Sequence, residues 1–159
     1  MLKYITLPLY IVNQEKCEVG FGPHLTLDLY SCDKSVLNDE NLIREFLHTL
    51  PDMLAMNKIS EPSITKYLGK EDSFDKGGIS AFVLIAESHI SIHTFVEQRH
   101  AFIDIFSCKD FDVEKAVQFI CEKFRPERVD KKLFGRGLEF PRNVEAVKEI
   151  IHEERKGVK

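Results

Sequence analysis

Several large protein classes are excluded by what this chain lacks. Lysine and arginine total 22 against 26 aspartates and glutamates, a formal net charge of −4, so there is no basic stripe of the kind nucleic-acid binding requires. No apolar run approaches the roughly 20 residues needed to cross a bilayer. The opening "MLKYITLPLYIVNQEK" has neither the basic start, nor the long apolar core, nor the small-residue cleavage site of a secretory signal. A cytoplasmic protein without membrane or nucleic-acid partners is expected. Cys17, Cys32, Cys108 and Cys121 lie far apart with no C-x-x-C pair, which predicts free thiols and no zinc site. A phosphate-cradling glycine loop and a dinucleotide fingerprint are both missing. So is the G-x-S-x-G elbow of a serine hydrolase.

What remains is an ordinary globular composition. The chain has 159 residues, 43% hydrophobic and 30% charged, enough for one domain with a real core. "KYITLPLYIV" (3–12) reads as an edge strand interrupted by Pro8. "HLTLDLYSC" (24–32) alternates, with Leu25, Leu27 and Leu29 on one face and His24, Thr26, Asp28 and Tyr30 on the other. "NDENLIREFLHTL" predicts a helix capped by Asn38 or Asp39, with Pro51 expected to kink or restart it before Asn57. A short strand "SITKYLG" and a mixed-charge loop "KEDSFDKGG" follow. Then come three strand-like runs, "ISAFVLIAE", "HISIHTF" and "AFIDIFSC", the last two joined by a turn at "EQRH". Val113, Ala116, Val117, Ile120, Cys121 and Phe124 form a helical seam after a cap at Asp112. "RVDKKLFG" predicts a last strand and "NVEAVKEIIHEERK" a terminal helix. The sum is an α+β fold, a two-layer sandwich with an antiparallel sheet backed by helices.

The unusual stretch is "ESHISIHTF" (87–95), which places Glu87, Ser88, His89 and His93 directly after a hydrophobic strand. As a strand it puts His89, Ser91, His93 and Phe95 on one face and Ile90, Ile92 and Thr94 on the other. In a hairpin with "AFIDIFSC", His93 and Cys108 are expected to converge. A serine, a histidine and a cysteine in one region can attack, shuttle a proton and donate one. The same residues also have plain readings: a turn serine, a surface histidine, and a cysteine serving as a small hydrophobe.

Three runs decide between these readings: "GPHLTLDLYSCD" (22–33), "GISAFVLIAESHISIHTFVE" (78–97) and "AFIDIFSCKDFDVEKA" (101–116). Together they resemble the prokaryotic S-adenosylmethionine decarboxylase family, over about Gly22 to Phe124. The resemblance implies one domain spanning 1–159 that cuts itself between Glu87 and Ser88 into chains 1–87 and 88–159. It implies that Ser88 becomes a pyruvoyl cofactor, with Ser80 assisting and His93 accepting a proton during processing. Cys108 is then the proton donor of the decarboxylation. An ordinary thiol, with a pKa of about 8.5, is mostly protonated at neutral pH and suits that role. Glu97 is implied to hold the substrate ribose, Phe74 to lie near the adenine and Asp28 to stand near the substrate. The pyruvoyl ketone would take up the substrate amine as pyridoxal phosphate does elsewhere, in a homodimer of processed protomers that serves polyamine synthesis and needs no metal.

The chain departs from the family pattern after His93. The family's "TWPE" is here "TFVE", with Phe95 for tryptophan and Val96 for proline, and Arg99 follows. Loss of the proline frees the turn that aims Glu97. Arginine or ornithine thus stands as an alternative substrate to S-adenosylmethionine. An unprocessed regulatory relative is the alternative outside enzymes, although it would need none of Ser88, His93 and Cys108.

Overall fold

Alternation of apolar and polar residues at period two becomes strand wherever it occurs in the computed structural model, which describes residues 11–13, 20–70 and 72–138. The elements are β1 (Ile11–Asn13), β2 (Gly22–Tyr30), α1 (Lys34–Leu37), α2 (Glu40–Met53), β3 (Ser63–Tyr67), β4 (Gly78–Ile85), β5 (Ser88–Phe95), β6 (His100–Ser107), α3 (Val113–Phe124) and β7 (Arg128–Arg136). They form one seven-stranded sheet in the order β1-β7-β2-β6-β5-β4-β3. Every pairing is antiparallel except that of β1 with β7. The expected helix near the C-terminus and the first part of the expected first strand lie outside the described residues.

One face of the sheet is apolar because each central strand sends its aliphatic residues the same way. Leu25, Leu27 and Leu29 of β2, Ile90 and Ile92 of β5, and Ile103 and Ile105 of β6 are all buried. Phe46, Leu47 and Leu50 of α2 and Ile120 and Phe124 of α3 close over them. The Phe46 and Phe124 rings meet edge to face with centroids 5.1 Å apart. Fully burying side chains of this size contributes roughly 1.5–3 kcal/mol each, and this single layer of contacts fixes which way every strand faces.

The helices start where short acidic side chains satisfy their free N–H groups. Asp39, rather than Asn38, caps α2, its carboxylate accepting from the N–H groups of Asn41 and Leu42. Asp112 caps α3 by accepting from Lys115 N–H. Pro51 does not restart the helix; it lies within α2, which ends two residues later at Met53. A proline this close to the end disrupts only one late turn, and its own carbonyl still accepts from Leu54 and Met56.

The opposite face of the sheet carries the chemistry. Read across β7, β2, β6, β5 and β4, one row is Phe134, His24, Phe106, His89 and Leu84. Two residues along the strands lies Lys132, Thr26, Asp104, Ser91 and Phe82, and beyond it Asp130, Asp28, Phe102, His93 and Ser80. None of these positions belongs to the core beneath the helices.

Candidate active site

Strands β4 and β5 are joined by only two residues, Ala86 and Glu87, with Ile85 paired to Ser88. Two-residue hairpin turns normally use glycine or asparagine, because they need positive φ. Neither is present, and the unfavourable backbone angle falls on Ser88, with φ +151°. Such a conformation in a residue with a side chain costs about 1–3 kcal/mol and persists only where its surroundings enforce it.

The surroundings are visible on both sides of the Glu87–Ser88 peptide bond. The Glu87 carboxylate accepts from the backbone N–H of Asn57 and from its side-chain amide, both at 3.0 Å. Asn57 in turn accepts Ala86 N–H through its carbonyl, at 2.8 Å. Burial opposes ionisation of Glu87, but the Asn57 donors and the nearby Lys109 ammonium outweigh it and hold the carboxyl below its usual range. The Glu87 carbonyl oxygen accepts from Cys108 N–H at 2.9 Å. The carbonyl that a Ser88 nucleophile would attack therefore already has a backbone donor on its oxygen.

Cys108 is held there by its neighbours. Ser107 Oγ donates to the Lys109 carbonyl at 2.7 Å and accepts Lys109 N–H at 3.0 Å, which closes the turn after β6. Gly22 passes so close that a Cβ on it would stand 1.9 Å from the Ser107 oxygen and 2.7 Å from Cys108 Cα. Only glycine fits this crossing.

His93 does not join this group within one chain. Because β5 and β6 turn at 96–99, Ser88 faces Ser107 and His93 faces Phe102. Five residues of strand separate Ser88 from His93, about 16 Å at some 3.3 Å per residue. In place of the expected meeting of His93 with Cys108, Cys108 meets the Glu87 carbonyl at the Glu87–Ser88 bond. His93 instead pairs with Ser80, whose Oγ lies 3.0 Å from its Nδ1. That pair is exposed on the open face.

The remaining residues implied by the sequence gather at the His93 end or near it. Glu97 lies in the turn after β5, ion-paired to Lys34 Nζ at 2.7 Å. Phe74 is 81% exposed in the loop before β4, and Gln98 of the same turn donates to its carbonyl. Asp28 sits in the His93 row, directly opposite Asp130 and Phe102. Arg99 turns away from this group: its guanidinium donates to the carbonyls of Cys32 and Ser31, at 2.9 and 3.0 Å, and ties the end of β2 to the 96–99 turn.

Residues for which the sequence suggested no role surround Ser88. His89 Nδ1 lies 3.1 Å from Ser88 Oγ. In the same row, His24 Nε2 lies 3.2 Å from Asp104 Oδ1, while His24 Nδ1 is buried without a hydrogen-bond partner. The hydrogen bond from His24 holds the Asp104 carboxyl below its usual range, against the opposing effect of burial. His89 is pushed down, first by burial and then by His24 and Arg136. The face alternation placed His24 and His89 on the open side, but only the strand register puts them side by side. Asn57, between α2 and β3, left no trace in the sequence pattern. Among the described residues, no group of histidines, cysteines and carboxylates is arranged to hold a metal ion, and no helix is long and apolar enough to cross a membrane.

Comparison with known proteins assigns this arrangement to a lineage. Residues 23–137 match the family model described as S-adenosylmethionine decarboxylase. A protein named S-adenosylmethionine decarboxylase proenzyme from Hydrogenobaculum sp. is 34% identical over 118 residues, covering 74% of this chain and 82% of its own length. One of the same name from Pyrococcus furiosus is 35% identical over 120 residues, covering 74% and 80%. The crystal structure of the adenosylmethionine decarboxylase from Aquifex aeolicus superposes with a TM-score of 0.62 at 30% identity, over 76% of this chain and 93% of that one. The matched span holds the hairpin tip, both histidine rows and Cys108, and the chain belongs to the S-adenosylmethionine decarboxylase family.

Proposed function

We propose that this protein is a pyruvoyl-dependent S-adenosylmethionine decarboxylase of the cytoplasm, matured by self-cleavage between Glu87 and Ser88. The observation that carries the reading is the hairpin tip: a strained Ser88 follows a carbonyl already bonded to Cys108 N–H. Attack of Ser88 Oγ on the Glu87 carbonyl carbon forms a C–O bond and moves the carbonyl electrons onto oxygen, where Cys108 N–H stabilises the charge by donating a hydrogen bond. Collapse breaks the C–N bond and leaves an ester. A base then takes the Ser88 Cα proton, and the Glu87 carboxylate departs. The dehydroalanine left behind tautomerises to an imine, and water releases ammonia from it to leave the ketone. That group supplies the electron sink that decarboxylation of an amino acid requires.

The residues present fit such a group. Cys108 lies beside it to deliver a proton to the substrate carbon. His93 is the base for the Cα proton and Ser80 its partner, and their distance from Ser88 within one chain gives the homodimer its purpose. A second copy, related by two-fold symmetry across the open face, brings its Ser80 and His93 to the first copy's Ser88 and Cys108. Phe82 and Leu84, 45% and 41% exposed on β4, are the apolar surface such pairing would cover. Glu97 and Phe74 arrive with the same end and contact ribose and adenine, while Asp28 lines the floor between. The product is an aminopropyl donor for polyamine synthesis.

The test is intact mass spectrometry of the purified protein, followed by CO₂ release from S-adenosylmethionine, arginine and ornithine. Two chains, 1–87 and 88–159, with release from S-adenosylmethionine alone are expected. Release from arginine or ornithine instead would move the substrate and keep the chemistry. A single chain after long incubation would overturn the reading.

A further inference from the structure

The self-cleavage above leaves one proton without an acceptor. Ser88 Oγ must lose its hydrogen to become a nucleophile, and the Ser88 nitrogen must gain one to leave. We propose that His89, the residue that follows the cleaved Ser88, is the general base and then the general acid of this first step. The inference rests on the self-cleavage reading and adds a catalytic residue to it.

Geometry comes first. His89 Nδ1 is 3.1 Å from Ser88 Oγ, within the reach that proton transfer requires. Ser80 and His93, the processing pair implied by the family resemblance, bond to each other across β4 and β5, with His93 four residues beyond His89. The ring of His89 packs against that of Phe106 in a T-shaped contact with centroids 5.9 Å apart. Nδ1 accepts a hydroxyl proton only if it is bare, and the environment of the ring provides for that. The charged and titratable groups facing it are His24 from β2, Asp104 from β6 and Arg136 from β7, while β4 presents Leu84. Burial acts first, and His24 and Arg136 second; together they disfavour imidazolium more than Asp104 favours it. Asp104 is itself engaged by His24 Nε2, so part of its negative charge is directed elsewhere.

The step balances. The Ser88 hydroxyl proton moves to His89 Nδ1 as Oγ bonds to the Glu87 carbon. The same proton moves from Nδ1 to the departing Ser88 nitrogen as the C–N bond breaks. His89 ends as it began, and the product is an ester with a free amine. The later abstraction of the Cα proton is left to His93, so the two histidines serve successive steps.

That division makes the test decisive. In a His93→Ala background the reaction stops at the ester, which hydroxylamine cleaves into two detectable chains. The rate of ester formation is therefore read directly as hydroxylamine-dependent fragments on a denaturing gel. Adding His89→Gln to that background should slow ester formation by about 10²- to 10⁴-fold, the usual span for a general base. Added imidazole should restore part of the rate to His89→Gly in the same background. The profile of His93→Ala alone should lose rate as the pH falls through the ionisation of His89, below the ordinary histidine value; this measurement needs no change at position 89. Ester that accumulates at an unaltered rate in the double variant, or a profile that does not fall as the pH is taken below the ordinary histidine value, would overturn the role of His89. A wild-type chain that never cleaves would overturn the proposed function instead.

Discussion

The two ends of the open sheet face differ in what holds them and, in the proposed function, carry complementary halves of one chemistry. At the Ser88 end stand a strained serine, a carbonyl bonded to Cys108 N–H, a thiol and a cluster of His24, His89 and Asp104. At the other end stand an exposed Ser80–His93 pair and an acidic residue in an ion pair with Lys34. The first end is buttressed by the Asn57 and Gly22 contacts, and the second is largely open. The difference teaches that strain must be held by one chain's own packing, whereas, in the proposed function, the proton acceptor arrives with a second copy. A group that must act on a reactive bond only after assembly is suited to arrive with a partner.

The strongest way to break this comparison is to separate the halves onto different chains. Ser88→Ala and His93→Ala should each remain essentially uncut alone. Co-expressed with distinguishable tags, they should form mixed dimers in which the His93→Ala chain is cut and the Ser88→Ala chain never is. Each chain's mass identifies it. If the His93→Ala chain stays whole in the mixture, the halves are not shared between copies and His93 acts within its own chain by a rearrangement of the sheet.

A smaller effect separates maturation from turnover at the Ser88 end. Cys108→Ala keeps its backbone N–H, so the Glu87 carbonyl keeps its donor and self-cleavage should proceed. Decarboxylation should fall by about 10²- to 10⁴-fold, the contribution of a positioned acid. Cleavage is read by gel and turnover by CO₂ release. Near wild-type turnover would reduce Cys108 to a small packing residue.

How much of this was legible in the sequence follows from what each pattern encodes. Alternation in "HLTLDLY" and "HISIHTF" gave the two faces, because period two is set by the backbone and the apolar face must be buried. The Asp39 and Asp112 caps were readable for the same local reason. The pairing of Ser88 with Ser107, which brings Cys108 to the Glu87 carbonyl, was not drawn, although the turn at "EQRH" contained it: positions equidistant from a tight turn face each other, which puts His93 opposite Phe102. Local patterns show which face a residue takes, while register shows which neighbour it meets. Asn57 lay beyond either, since its two bonds to Glu87 span 30 residues of sequence. Arg99, a departure from the family pattern, became intelligible only once its bonds to Ser31 and Cys32 were seen.

Two glycines sharpen the comparison at the level of packing. A Cβ on Gly22 would strike the Ser107 carbonyl oxygen at 1.9 Å, and one on Gly78 would strike that of Thr94 at 1.8 Å. Both contacts are backbone, so Gly22→Ala and Gly78→Ala should each cost on the order of 1–3 kcal/mol, read by thermal unfolding. Their effects on chemistry should differ. Gly22→Ala displaces Cys108 and should slow ester formation. Gly78→Ala disturbs the neighbour of His93 and should slow only the loss of the Cα proton, leaving a hydroxylamine-sensitive ester. Identical defects from both would dissolve the distinction between the ends.

The smallest expected effect concerns Asp104, which lies in the row between the ends. Its carboxyl is held below the usual range, first by the hydrogen bond from His24 and then by the charges of His24, His93 and His89, against burial. A carboxyl depressed in the folded state adds stability above its unfolded pKa of about 3.9 and loses it as the pH falls through the folded value. Asp104→Asn should therefore lower Tm at pH 7, where the charge-assisted bond is present. Asp104 is partly exposed, so solvent screening limits the loss to about 1 kcal/mol, or about 2–4 °C in a domain of this size. As the pH is lowered below about 4, the wild-type Tm should fall toward that of the variant and the gap should close. A gap that persists unchanged at low pH would mean that Asp104 contributes through shape and packing, and that its charge links neither end of the face to the other.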